Sequence, residues 1–338
     1  MPFVKNFLKK NSITIILFFL IYSWFFISSN FNKPTNTIPL ATNGNLLLYQ
    51  QPEAGKEPLL SAIKSAKEEI LVEVYLLSDK DIIKALIDSR KRGVDVSIIL
   101  EEHPFGGGNL NMKSKKTLES SNIDVKWSSP KYALTHEKAI IIDKKEVFIL
   151  NQNLTASSFV KNREYDILDT NYNDVLEARN VFIADWEGKG ISFPTDFLVL
   201  SPVNSRNKIS NLLNSAVKTI EIEDEIIEDK QVANLLKEKA KNVSIKIIIP
   251  TFTQIPSNKI IVSDLIKAGI IVKVLSSPYV HAKLILVDDK IAYIGSVNLS
   301  SQSMDENREL GIIFSEPKSI NSLNQTFDLD WKRTAVAN

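Results

Sequence analysis

The chain has 338 residues, 44% of them hydrophobic and 24% charged, with a net charge of +1. That composition belongs to a globular protein large enough for two ordinary domains, and it excludes a disordered chain and a global basic field that would draw in nucleic acid. Cysteine is absent, which rules out disulfides, thiolate metal centres and cysteine nucleophiles and leaves the compartment open.

The first predicted element is a membrane anchor at residues 1–30. Lys5, Lys9 and Lys10 precede an uncharged stretch from Ser12 to Ser29. At about 1.5 Å per helical residue, that stretch approaches the thickness of bilayer hydrocarbon. A signal peptide usually has a shorter apolar region and an A-x-A-like cleavage site, and none follows here. Lysines ahead of the span, with only Lys33 soon after it, predict a single pass with the N-terminus cytoplasmic and the body extracytoplasmic. Residues 31–43, with NKPTNT near their start, read as a polar linker.

The body then repeats itself, over residues 44–195 and 196–338. EPLLSAIKSAKEEILVEVYLLS and NKISNLLNSAVKTIEIEDEII each read as an amphipathic helix running into a strand. DKDIIKALIDSRKRGVDVSIIL and DKQVANLLKEKAKNVSIKIIIP supply a second helix and strand in each half. LESSNIDVKWSSP and LIKAGIIVKVLSSP end a third helix and add another strand. Alternating helices and strands predict an α/β fold: two α/β/α half-domains with pseudo-two-fold symmetry, each around a largely parallel sheet. Such a duplication places one shared site between the halves.

One pattern carries the chemistry. THEKAIIIDKKEVFILNQNLTASS places His136, Lys138 and Asp143 at the spacing of His281, Lys283 and Asp288 in YVHAKLILVDDKIAYIGSVNLSS. Alternate residues of a strand share a face, so each lysine points with its histidine. A lone histidine at a strand start is more often structural, but the chain has only three histidines, and two of them fall in register within the repeat. Two imidazoles suit phosphodiester chemistry, one attacking phosphorus while the other gives a proton to the leaving oxygen. Lys138 and Lys283 supply charge for the phosphoryl oxygens, so no metal or other cofactor is called for. Asn153, Asn298 and Ser296 are candidate hydrogen-bond donors to those oxygens. Asp143 and Asp288 lie an odd number of residues from their histidines, at charged turns, and read as hairpin residues without substrate contact.

These paired H-x-K-x(4)-D motifs resemble those of the phospholipase D superfamily of phosphodiesterases and phosphatidyltransferases. The second motif continues through Gly295, Ser296 and Asn298, similar to the family's extended form. Each half also has a downstream NRE, ending at Glu164 and Glu309, where the family keeps an acidic residue. The resemblance implies that these glutamates orient the histidines, and that His136 is the nucleophile of a phosphohistidine pathway with His281 as acid. The first motif departs from the pattern, with Leu150 and Asn151 where the second has Gly295 and Ser296. Leucine lacks glycine's backbone freedom, whereas Asn151 could replace the serine's hydrogen bond.

Elsewhere, EEHPFGGGNLNMKSKK reads as a surface loop, without the strand–helix context of a phosphate-binding loop. Glu73 and Glu223 occupy matching strands, where salt bridging or an exposed sheet face accounts for them as well as proximity to the site does. Three functions remain open. The first is a membrane-anchored phosphodiesterase or phosphatidyltransferase acting on phospholipid headgroups. The second is a tethered, metal-independent nuclease acting on single strands. The third is a degenerate scaffold. The partners expected are thus a phospholipid membrane and a phosphodiester substrate.

Overall fold

The computed structural model describes residues 46–337. The expected anchor at 1–30 and linker at 31–43 lie outside the described residues. Among the described residues, no helix is long and apolar enough to cross a membrane.

The first half contributes β1 (Leu47–Gln51), β2 (Glu69–Val74), β3 (Asp95–Leu100), β4 (Asp124–Trp127), β5 (Lys138–Ile142), β6 (Glu146–Leu150) and β7 (Asn162–Asp169). The second contributes β8 (Leu198–Ser201), β9 (Thr219–Asp224), β10 (Ser244–Ile249), β11 (Ile271–Val274), β12 (Tyr279–Val280), β13 (Lys283–Val287), β14 (Ile291–Gly295), β15 (Glu309–Phe314) and β16 (Ala335–Val336). One sheet runs β1-β7-β6-β5-β2-β3-β4 and the other β16-β11-β10-β9-β13-β14-β15-β8.

Local chemistry sets the elements. Helix Glu57–Ser65 buries Leu59, Leu60 and Ile63 along one stripe and has proline in its first turn, where a missing N–H costs nothing. The carboxylate of Asp79 caps helix Lys80–Lys91 by accepting from the amides of Asp81 and Ile82, and Asp229 does the same for Val232 at helix Lys230–Lys239. Strands β5 and β13, KAIII and KLILV, are buried at every position, because their sheets are covered on both faces. Separate apolar cores lie under the outer helices of each half. A third core joins the inner faces of both sheets to helices Tyr172–Trp186 and Pro317–Arg333. Each sheet is thus flanked by helices on both sides, and the halves share one interior.

The sheets are mixed, which corrects the expectation of largely parallel ones. Strands β2, β3 and β4 are parallel, but β5 runs antiparallel to both β2 and β6. The cause is the motif itself. Asp143 and Lys144 have φ of 53° and 56°, and Asp288 and Asp289 have the same pair of values. Two successive left-handed residues make a tight turn that returns the chain as an antiparallel hairpin.

The halves also exchange backbone. Strand β12, from the second half, pairs in parallel with β7 of the first, Tyr279 opposite Asn162 and Val280 opposite Arg163. A reciprocal bridge joins Thr135 to Arg308.

Candidate active site

Both histidines lie two residues ahead of a strand, where the chain has just crossed to the opposite half. The amide of His136 donates to the carbonyl of Arg308 at 2.9 Å, and that of His281 to the carbonyl of Arg163 at 3.2 Å. Each arginine is fixed by its own fully buried side chain. Arg163 donates to Asp330 at 2.5 Å and to Glu53 at 2.6 Å. Arg308 pairs with Asp185 at 2.8 Å and donates to the carbonyl of Ser201 at 3.0 Å. Buried guanidinium groups held by a carboxylate and a backbone carbonyl at once keep their geometry tightly. The central residue of each NRE therefore anchors the neighbouring half's histidine through its carbonyl.

The last residue of each NRE grips the ring. His136 Nδ1 lies 2.9 Å from the carboxylate of Glu309, and His281 Nδ1 lies 2.8 Å from that of Glu164. The first residue steadies the carboxylate, Asn307 donating to Glu309 at 3.0 Å and Asn162 to Glu164 at 2.9 Å. Glu309 is held below the usual carboxylate range, its burial outweighed by His136, Lys138 and Ser296. An ionised carboxylate only accepts, so Nδ1 of His136 carries the proton and Nε2 keeps its lone pair. Burial pushes the His136 imidazole down to about 4, against the opposing pull of Glu309. The ring is therefore neutral at physiological pH, the state that nucleophilic attack would require.

The lysines are buried beside their histidines. Lys138 Nζ donates to the carbonyl of His136 and lies 5.1 Å from the centroid of the Tyr75 ring. Lys283 Nζ donates to the carbonyl of His281 at 2.6 Å and to Glu225 at 3.1 Å. Burial brings Lys138 down to about 7, with Glu309 opposing the shift. The sequence reading missed Tyr75, Glu225 and Tyr279. Tyr75 and Glu225 take equivalent places in the repeat, just after β2 and β9.

The remaining motif residues divide. The carboxylate of Asp143 accepts from the amides of Lys67, Glu68 and Glu69, the shortest at 2.7 Å, and Asp288 accepts from Val217, Lys218 and Thr219, the shortest at 2.6 Å. Both aspartates thus tie their hairpin turn to the preceding helix–strand junction. Ser296 is committed elsewhere than expected, its hydroxyl donating to the carbonyl of Leu310 at 3.3 Å while accepting from the amide of the same residue at 3.1 Å. That occupation removes it as a free donor to phosphate. The amide oxygens of Asn153 and Asn298 have no hydrogen-bond partner among the described residues.

Asn151 takes the serine's role literally. Its amide oxygen accepts from the amide of Tyr165 at 3.0 Å, the counterpart of the Leu310 amide, and also from the amide of Lys283 at 3.2 Å. Its amide nitrogen donates to the carbonyl of Gly295, so one side chain spans both halves. Gly295 is required by crowding rather than by an unusual φ. A Cβ there would lie 2.4 Å from the Cα of Gly311 and 2.6 Å from the Tyr293 hydroxyl.

Glu73 and Glu223 are buried, which removes the exposed-face reading. Glu223 accepts from the Tyr165 hydroxyl at 2.6 Å. Glu73 stands with Glu137 and Asp185, their carboxylate atoms within 4.8 Å of one another. Burial and mutual repulsion raise Glu137 to about 8, with Arg308 opposing. These groups belong to the packing around the buried arginines.

A duplicated α/β fold with a histidine–lysine pair from each copy meeting at the seam is the architecture of enzymes that cleave phosphodiesters. Comparison with known proteins agrees. The family model described as "Cardiolipin synthase, PLD-like domain" matches residues 59–186 and 209–331. Cardiolipin synthase 1 of Bacillus anthracis is 23% identical over 350 residues, covering 88% of this chain and 67% of that protein. A phospholipase D of Rickettsia prowazekii is 34% identical over 152 residues, covering 44% of this chain and 71% of its own. In fold, the chain is similar to phosphatidylserine synthase from Haemophilus influenzae, with a TM-score of 0.66, 13% identity and coverage of 86% of this chain and 87% of that one. The chain belongs to the phospholipase D superfamily, carries two copies of its domain, and is an enzyme of the phosphodiesterase type.

Proposed function

We propose that the protein is a phosphatidyltransferase or phospholipase that works on phospholipid headgroups through a phosphohistidine, tethered to its membrane by residues 1–30. The observation that carries this reading is the crossed pairing of His136 with Glu309 and His281 with Glu164. It leaves two Nε2 atoms, one from each half, for a single phosphate. The names of its relatives, cardiolipin synthase and phospholipase D, favour a lipid phosphodiester.

In the first step the lone pair of His136 Nε2 attacks phosphorus. A P–N bond forms, the P–O bond to the leaving group breaks, and His281 gives its proton to the departing oxygen. In the second, His281 takes the proton of an incoming hydroxyl, whose oxygen displaces His136 from phosphorus. Water as acceptor gives hydrolysis and an alcohol gives transfer. Lys138 and Lys283 offset charge on the non-bridging oxygens, and Asn153 and Asn298 are the candidate donors to join them.

The test uses the full chain in mixed micelles of phosphatidylglycerol, with chelator and with glycerol as a competing acceptor. Lipid turnover that disappears in both H136A and H281A, with a base-stable, acid-labile phosphoryl adduct trapped on the wild type, supports the reading. Cleavage of single-stranded DNA in place of lipid, lost in the same variants, overturns the substrate class and keeps the histidine chemistry.

A further inference from the structure

The two half-sites differ in charge at one position. In the first half, the ring of Tyr75 meets that of His136 edge-on at 4.7 Å, and its hydroxyl accepts from the amide of Phe105. It brings no anion to the lysine. In the second half the equivalent residue is Glu225. Its Oε2 lies 3.1 Å from Lys283 Nζ and 3.5 Å from His281 Nε2, and its Oε1 accepts from the Tyr279 hydroxyl at 2.6 Å.

These contacts use the groups that a phosphodiester needs. Lys283 has three N–H donors; one is taken by the carbonyl of His281 and one by Glu225. Nε2 is the nitrogen of His281 left open by Glu164, and the Glu225 carboxylate stands in front of it. Burial alone would raise the Glu225 carboxyl, but His281 and Lys283 overcome it and bring the group down to about 2. A full negative charge therefore sits in the cationic cradle of the second half-site.

We propose that Glu225 is an internal competitor for the phosphate, its carboxylate holding the place of a phosphoryl oxygen on Lys283 and His281 until a substrate displaces it. This rests on the reading of the seam as a phosphodiester site. Two anions on one ammonium repel, so a small free oxyanion gains little by entering. A phosphodiester with a large remote body can draw on binding energy from that body to move the carboxylate aside. Glu225 thus sets specificity for esterified over free phosphate and limits inhibition by phosphate released nearby. The Tyr75 side has no such competitor, so the phosphate lodges first against His136 and Lys138.

The experiment is calorimetric titration of the full chain in detergent with tungstate, a tetrahedral oxyanion, which needs no turnover. E225Q removes the charge at constant shape, and E225Y installs the residue of the first half. The expected result is a Kd for tungstate at least tenfold lower in both variants than in wild type. E225D, which keeps the charge on a shorter stem, falls between them and serves if either neutral variant does not fold. Affinity unchanged or weaker in the folded neutral variants overturns the proposal. So does a fall in kcat on phosphatidylglycerol with tungstate affinity unmoved, because that would make Glu225 part of the proton transfer. If wild type turns over no phospholipid while tungstate still binds more tightly to E225Q, the lipid reading fails and the competitor stands.

Discussion

His136 and Glu309 are separated by 173 residues in the chain and by 2.9 Å in space. The pair fixes the tautomer of the proposed nucleophile, and its acidic member belongs to the other repeat. E309Q replaces an obligate acceptor with an amide that can also donate, so both the tautomer and the ring orientation loosen. We expect kcat to fall by about 10² to 10⁴ with little change in KM. Because the two residues act as one unit, H136A combined with E309Q should be no slower than H136A alone. Additive losses in that double variant would disconnect Glu309 from the histidine.

The pH profile follows from burial. His136 at about 4 is neutral above that value and protonated below it, so kcat/KM falls on the acid side near pH 4, well under the ordinary histidine range. Lys138 at about 7 is charged below that value and neutral above it, so kcat/KM also falls as pH rises through 7. An arginine remains charged past pH 12, and K138R should therefore move the basic limb upward even where its bulk lowers the maximum. A basic limb that stays in place in K138R would assign it to another group.

Gly295 is predicted to be intolerant for steric reasons. In G295A the new Cβ meets backbone at Gly311 and the hydroxyl oxygen of Tyr293, which accepts from the amide of Val297 at 3.1 Å. Overpacking of this kind costs about 1–3 kcal/mol. Thermal melts of G295A should show a lower midpoint, and a midpoint equal to wild type would mean that the strands separate easily there.

Asn151 offers a cleaner test of how the halves are joined. N151S restores the residue type of the second motif and keeps an acceptor for Tyr165, but a serine is too short to reach the carbonyl of Gly295 as well. N151A loses all three bonds. Leaving buried backbone groups unpaired costs about 1–3 kcal/mol, so denaturant midpoints should rank wild type above N151S, and N151S above N151A. A midpoint for N151S equal to that of wild type would show that the bonds across the halves contribute nothing.

Much of this was legible in the sequence because it was written twice. The motif hairpins and their turn aspartates follow from local pattern, and the repeat turned a short motif into a pair. What escaped was what depends on partners distant in sequence. The sheet could not be seen as mixed until the hairpin joined β2, since periodicity does not state strand direction. Ser296 looked like a free donor because nothing in its neighbourhood shows that the carbonyl of Leu310 claims its proton. Glu225 stayed hidden for a related reason: in IEIEDEII it is one acid among four, and only the meeting with Lys283 sets it apart.

The exchange of β12 and of the Thr135–Arg308 bridge has an evolutionary reading. Each copy orients the histidine of its twin, so the repeats cannot drift apart as independent domains; a change in one is felt first in the other's chemistry. Where they have diverged, as at Leu150 and Asn151 against Gly295 and Ser296, the side chain of Asn151 also bonds to Gly295 and Lys283 of the sister copy. The duplicated halves are now obligate partners, because neither histidine keeps its carboxylate without the other copy.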